Sequence, residues 1–98
     1  EAVVIGYNQG SGRKNGKVGS LSVFAVDKDG TVSTRRSYNI GTGLTDYQRA
    51  NAKTLYPLGT VVVCQFNGYT LGGVPRFPRL KGVRIDMEVK LDPKYFTF

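Results

Sequence analysis

At 98 residues, with 14 Lys+Arg against 7 Asp+Glu and no histidine, the chain is a single basic domain of formal charge +7. A domain of this size buries roughly 60–65% of the surface its unfolded chain exposes, and its charge excess favours a polyanionic partner over a merely soluble basic surface. The single Cys64 excludes an intramolecular disulfide, and without histidine a zinc site built from Cys and His is excluded too.

Short apolar or alternating runs separated by Gly, Asn and Asp predict strands joined by turns. AVVIGY, residues 2–7, is the first. NQGSGRKNGKVG, residues 8–19, follows as a glycine-rich loop carrying Arg13, Lys14 and Lys17, either a plain hairpin loop or a nucleic-acid contact. Its Gly16-Lys17 falls near P-loop spacing, but Val18 stands where the magnesium-binding Ser or Thr belongs, so that motif is rejected. SLSVFAV, residues 20–26, alternates with Leu21, Val23 and Ala25 on one face and Ser22, Phe24 and Val26 on the other. In DKDG, Asp29-Gly30 predicts a tight turn.

A third strand runs through 31–40, a fourth through 60–69 and a fifth through 80–89, with a bulge near Gly82. Cys64 lies in the apolar run TVVVCQF and reads as a small buried hydrophobe. In GLTDYQRANAKTLYPLG, residues 43–59, Thr45 and Gln48 have capping-box spacing, which predicts a helix from Asp46 to Lys53 or Thr54, stopped before Pro57. The fold class is therefore all-β with one short helix: a five-stranded OB-fold Greek-key barrel, with the helix between strands 3 and 4. No run approaches the ~18 apolar residues of a membrane span, and EAVVIGYNQG lacks the charged region and long apolar segment of a signal peptide, so targeting is not visible. The start at Glu1 suggests a fragment, and an intracellular location is favoured.

Three pieces in order, EAVVIGY with GSGRKNGKVGSL, then YNIGTGLTDYQR, then GVPRFPRLKGVRID, resemble the C-terminal OB domain of ATP-dependent DNA ligases, especially small viral and bacterial forms. The resemblance covers residues 1–89, leaving 90–98 as a C-terminal tail whose Tyr95, Phe96 and Phe98 are expected to pack on the barrel, a short docking motif for a partner being the alternative. It implies that Arg76 and Phe77, with the backbone restricted by Pro75 and Pro78, face the DNA minor groove near the nick. Arg79, Lys81, Arg13, Lys14 and Lys17 join them as DNA-binding candidates, with Gly41, Thr42 and Gly43 of IGTG allowing close backbone approach to a phosphate or simply forming a turn. Arg35, Arg36, Arg49 and Lys53 are further phosphate candidates.

VRID resembles the family's final Arg-x-Asp-Lys motif, with Arg84 and Asp86 matching and Met87 in the place of the lysine; Lys81 and Lys90 are candidate substitutes. By resemblance, Arg84 and Asp86 assist catalysis by orienting the pyrophosphate of ATP during lysine adenylation. The nucleophilic lysine belongs to a KxDG motif, which DKDG does not match, so the fragment should be inactive alone. The resemblance further implies ATP and Mg2+ held mainly by a nucleotidyltransferase domain of the same chain, and nicked double-stranded DNA as partner. It also implies a monomer, no membrane association, and nick sealing in replication or repair. Two rivals remain: a stand-alone single-strand-binding OB module stacking bases on Tyr7, Phe24, Tyr38, Phe66 and Tyr69, and the OB domain of an mRNA capping guanylyltransferase.

Overall fold

The structure is a computed structural model and describes residues 1–10, 17–69, 71, 75, 78–84, 89 and 91–96. Among these, β1 (Ala2–Gln9), β2 (Val18–Val26), β3 (Val32–Ile40), β4 (Val61–Gln65) and β5 (Arg79–Val83) form one antiparallel sheet of order β3-β2-β1-β4-β5. The unbroken apolar run Ala2–Ile5 is explained by burial on both faces. Ala2 and Val4 face an inner core with Leu21, Val23, Tyr38, Ile40, Val62 and Leu80. Val3 and Ile5 join Phe24 and Val26 on the outside, where Val89, Leu91, Tyr95 and Phe96 cover them. A register shift between Val4 and Gly6 reverses the alternation, so that Tyr7 returns to the inner core.

The alternation expected of β2 is observed: Leu21, Val23 and Ala25 point inward, and Phe24 and Val26 pack under the tail. The DKDG turn also forms, with Gly30 at φ 88° and the Asp29 carboxylate accepting from the Thr31 N–H at 3.0 Å. The fourth strand is shorter than expected, and the expected end of the fifth is not covered by the described residues. β4 ends at Gln65 and β5 at Val83, while residues 85–88 lie outside the described part. The bulge expected near Gly82 falls on Lys81, because Val63 pairs with Gly82 and Cys64 with Leu80.

The capping box is complete. The Thr45 hydroxyl accepts from the Gln48 N–H at 3.2 Å, and the Gln48 side chain accepts from the Thr45 N–H at 2.8 Å. The single helix expected from there is two: α1 (Asp46–Ala50) and α2 (Ala52–Leu55). Asn51 divides them, since its backbone N–H and its side-chain amide both donate to the Tyr47 carbonyl, at 3.1 and 2.9 Å. An asparagine that competes for a helical carbonyl loosens the ladder at that turn. Leu44, Ala52 and Tyr56 then fill the end of the core between β3 and β4.

The outermost strands β3 and β5 are joined just beyond Ile40, which closes the sheet into a barrel. Thr42 forms a parallel bridge with Arg79, and the Leu80 N–H donates to the Thr42 carbonyl at 2.8 Å. Gly43 makes this approach possible: it sits at φ +93°, and a Cβ there would lie 2.6 Å from the Leu80 oxygen and 2.9 Å from its nitrogen. Gly68 has φ +75° but open space around it. Gly43→Ala is therefore expected to cost roughly 2–4 kcal/mol, and Gly68→Ala only about 1 kcal/mol, the strain of the left-handed backbone. Chemical denaturation of the two variants checks this; equal losses would show that the close approach to Leu80 is not what demands glycine at 43.

Candidate nucleic-acid interface

The barrel seam gathers one group of the expected DNA-binding residues. On β5, Leu80 points inward while Arg79 and Lys81 are exposed, and the bridge to Arg79 brings exposed Thr42 beside them. Gly41, Thr42, Gly43, Arg79 and Lys81 thus share one edge. The glycines have structural work here: the Gly41 and Thr42 carbonyls accept from Arg49 and Leu80, and Gly43 admits β5. Arg13, Lys14, Arg76, Phe77, Asp86, Met87 and Lys90 lie outside the described residues.

Arg49 departs from the sequence expectation of a phosphate contact. It is 6% exposed, and its guanidinium donates to the carbonyls of Val18 (3.3 Å), Gly19 and Gly41 (2.5 Å). Three backbone acceptors saturate one edge of the fork and leave it facing inward. It forms the floor of a polar groove of about 430 Å3 between the β1–β2 hairpin and the helices, bordered by Lys17 and Lys53. The Lys53 ammonium stands 5.9 Å from the centroid of the Tyr7 ring. Lys17 therefore borders this groove together with Arg49.

Sequence reasoning missed a polar stripe on the outer face of β1, β2 and β3. The Asn8 amide nitrogen lies within hydrogen-bond distance of the hydroxyls of Ser20 (3.0 Å) and Ser22 (2.9 Å) and of the Asn39 carbonyl oxygen (3.1 Å). Ser22 also donates to Asn39 at 3.1 Å. The signal was present in Ser20 and Ser22, which alternate with core Leu21 and Val23; Asn8 and Asn39 became partners only through strand register.

Arg84 is half-buried and ion-paired: its guanidinium donates to the Glu1 carboxylate at 2.6 Å, while its backbone N–H donates to the Val61 carbonyl at 2.8 Å. The aromatic platform expected of a single-strand module is largely consumed by packing. The Tyr7 hydroxyl donates to the Tyr56 carbonyl at 2.8 Å, Phe24 lies edge-on to Tyr95, and Tyr38 is in the core. Burial, followed by contact with Cys64 and Tyr69, holds the Tyr38 phenol well above the usual tyrosine range. The described residues contain no helix long and apolar enough to cross a membrane.

Residues 9–84 match the family model described as DNA ligase OB-like domain. Among solved structures, one described as "DNA binding with a minimal scaffold: Structure-function analysis of Lig E DNA ligases" is similar at 31% identity and TM-score 0.65, over 85% of this chain and 28% of the other. A second, Pmar-Lig_Pre, is similar at 27% identity and TM-score 0.59, over 86% of this chain and 20% of its own. This chain thus spans less than a third of either matched chain. No curated protein matches it.

Two outcomes follow from these contacts. Arg49→Met strips three carbonyls of a buried charged donor and is expected to cost roughly 2–4 kcal/mol, a fall in Tm of about 10–25 °C, with Arg49→Lys intermediate because an ammonium cannot span both strands. An unchanged Tm would place Arg49 on the surface. For Tyr38, a folded pKa raised above the unfolded value gives stability that is full below about pH 10 and lost as pH rises toward the folded value. Thermal melts from about pH 8 to about pH 11 should fall less steeply for Tyr38→Phe than for the parent chain; parallel slopes would refute the assignment.

Proposed function

The chain belongs to the DNA ligase OB-like domain family, and from that membership we propose that it clamps nicked duplex DNA through the minor groove for an ATP-dependent ligase acting in replication or repair. The observation that carries the reading is the closed seam, where Thr42, Arg79 and Lys81 stand exposed together on a rigid edge while Arg49 is withdrawn into the fold. Cations held by paired strands engage phosphates with little ordering cost, and phosphate contacts set affinity without reading sequence. The asparagine and serine stripe on the outer sheet adds neutral hydrogen-bonding groups suited to sugar and phosphate oxygens. Arg76 and Phe77 supply the minor-groove wedge in this reading, by the resemblance of RFPR to the ligase motif.

Within the parent enzyme, Arg84 orients the pyrophosphate of ATP with Asp86 while a lysine of the nucleotidyltransferase domain is adenylated. A guanidinium fits that task, since its fork matches phosphate oxygens. Arg84 already holds a carboxylate, that of Glu1, so it must exchange one oxyanion for another as the domain closes over ATP. ATP supplies the adenylyl group there. By the family resemblance, Mg2+ is assigned to the nucleotidyltransferase domain. The chain on its own then positions substrates and does not seal nicks.

The test is salt-dependent binding of the 98-residue chain to nicked duplex, intact duplex and single-stranded DNA of equal length. Duplex should be preferred over single strand, irrespective of sequence. Arg79→Ala/Lys81→Ala should lower the slope of log K against log salt by about 2, one unit for each lost phosphate contact. Arg76→Ala/Phe77→Ala should abolish most of the duplex binding. Preference for single strands, indifferent to both double variants, would overturn the clamp.

A further inference from the structure

Where β1 begins, β2 ends and β3 begins, a groove of about 450 Å3 is bordered by Arg35, Arg36, Tyr38, Phe66, Tyr69 and Pro75. Its volume is that of a small-ligand site. The basic wall arises from the largest register break in the sheet: Phe24 pairs with Ser37 but Ala25 with Ser33, leaving Thr34, Arg35 and Arg36 without partners on β2. Bulges of this kind re-aim side chains. Both arginines are exposed, and neither is ion-paired among the described residues.

The aromatic wall is Phe66 and Tyr69, with ring centroids 5.0 Å apart at 61°. Tyr69 is 61% exposed, yet it is held by Phe66 and by a backbone bridge to Pro75. A ring that is already positioned loses little entropy when a base stacks on it. Two carboxylates, those of Glu1 and Asp27, also border the groove. Arg84 neutralises Glu1, so among the described residues Arg35 and Arg36 against Asp27 leave about one net positive charge, enough for one phosphodiester.

The geometry points to a pocket for one unpaired nucleotide, its base stacked on Tyr69 and its phosphate on Arg35 and Arg36. The pocket goes beyond the duplex clamp and rests on that reading only for where the duplex lies. Phe66, Tyr69 and Pro75 belong to the segment joining β4 and β5, and Pro75 directly precedes Arg76. A strand end displaced from a duplex seated on this segment meets the groove, so the domain distinguishes nicks with a short unpaired end from fully paired ones.

The experiment measures binding of the 98-residue chain to a paired nicked duplex, the same duplex with a short oligothymidylate flap at the nick, and oligothymidylate alone. The flap should strengthen binding roughly 5- to 150-fold, the range for stacking one base on an aromatic ring. Tyr69→Ala and Tyr69→Leu should erase that gain, the ratio of flap to paired-duplex affinity falling to about one, while Tyr69→Phe keeps it. Arg35→Gln/Arg36→Gln should weaken flap binding more than paired binding. Displacement of oligothymidylate by thymidine monophosphate would support the pocket and extend it to free nucleotides; failure to displace, with the Tyr69 effect intact, would support it for strand-borne nucleotides alone. No flap gain, or a gain that survives in both the alanine and leucine variants, overturns it. If the parent chain fails to bind paired duplex but Tyr69→Ala still weakens oligothymidylate binding, the clamp falls and the pocket stands.

Discussion

One buried guanidinium organises the functional end of this barrel. Arg49 leaves α1 and donates to the backbone of β2 at Val18 and Gly19 and to the turn after β3 at Gly41. A charge this deeply buried is tolerable only when its donors are satisfied, and here carbonyl dipoles satisfy them in place of a carboxylate. The arrangement ties the helices to two strands and holds Gly41 two residues before Gly43, where β5 arrives. Closure through Thr42 and Leu80 therefore depends on a turn whose position Arg49 sets from below. Arg79 and Lys81 acquire a fixed direction only because that closure occurs.

The 14 basic residues consequently do different things, and the net charge of +7 conceals the division. Arg49 is spent on backbone carbonyls, Arg84 on Glu1 and Lys53 on the face of Tyr7. Arg79 and Lys81 on the seam, with Arg35 and Arg36 on the bulge, remain exposed. The exposed cations form two separate basic features in different backbone contexts, one at the Thr42–Arg79 bridge beside the single-residue bulge at Lys81 and one at the three-residue break in β3. The acidic groups sharpen this separation, since Asp27 and Glu1 border the bulge-side groove and the seam has no carboxylate among the residues that form it.

Local chemistry was legible where it has local causes. The capping box at Thr45 and Gln48, the Asp29-Gly30 turn and the alternation of β2 are set by residues within a few positions of one another, and each formed as read. The family resemblance, which the matched family model supports, rested on ordered short motifs and so survived imprecise strand ends. Features that depend on distant partners were not legible. Nothing near Arg49 in sequence reveals that three carbonyls, up to 31 residues away, await it. Asn8, read as part of the glycine-rich loop, and Asn39, read within the third strand, have no visible relation until strand register places them together. The three-residue break at Thr34–Arg36 likewise follows from matching two strands, and β3 alone reads as a continuous extended run.

The segment between β4 and β5 is where these threads meet. It carries the motif resemblance, borders the bulge-side groove through Phe66, Tyr69 and Pro75, and delivers Arg79 to the seam. A connection this long would ordinarily cost closure entropy without return. Here the Tyr69–Pro75 bridge closes the segment on itself, and the Thr42–Arg79 pairing fixes its C-terminal end to the barrel. This connection and the closure of the barrel therefore share Arg79, which is both the first residue of β5 and a member of the exposed basic edge.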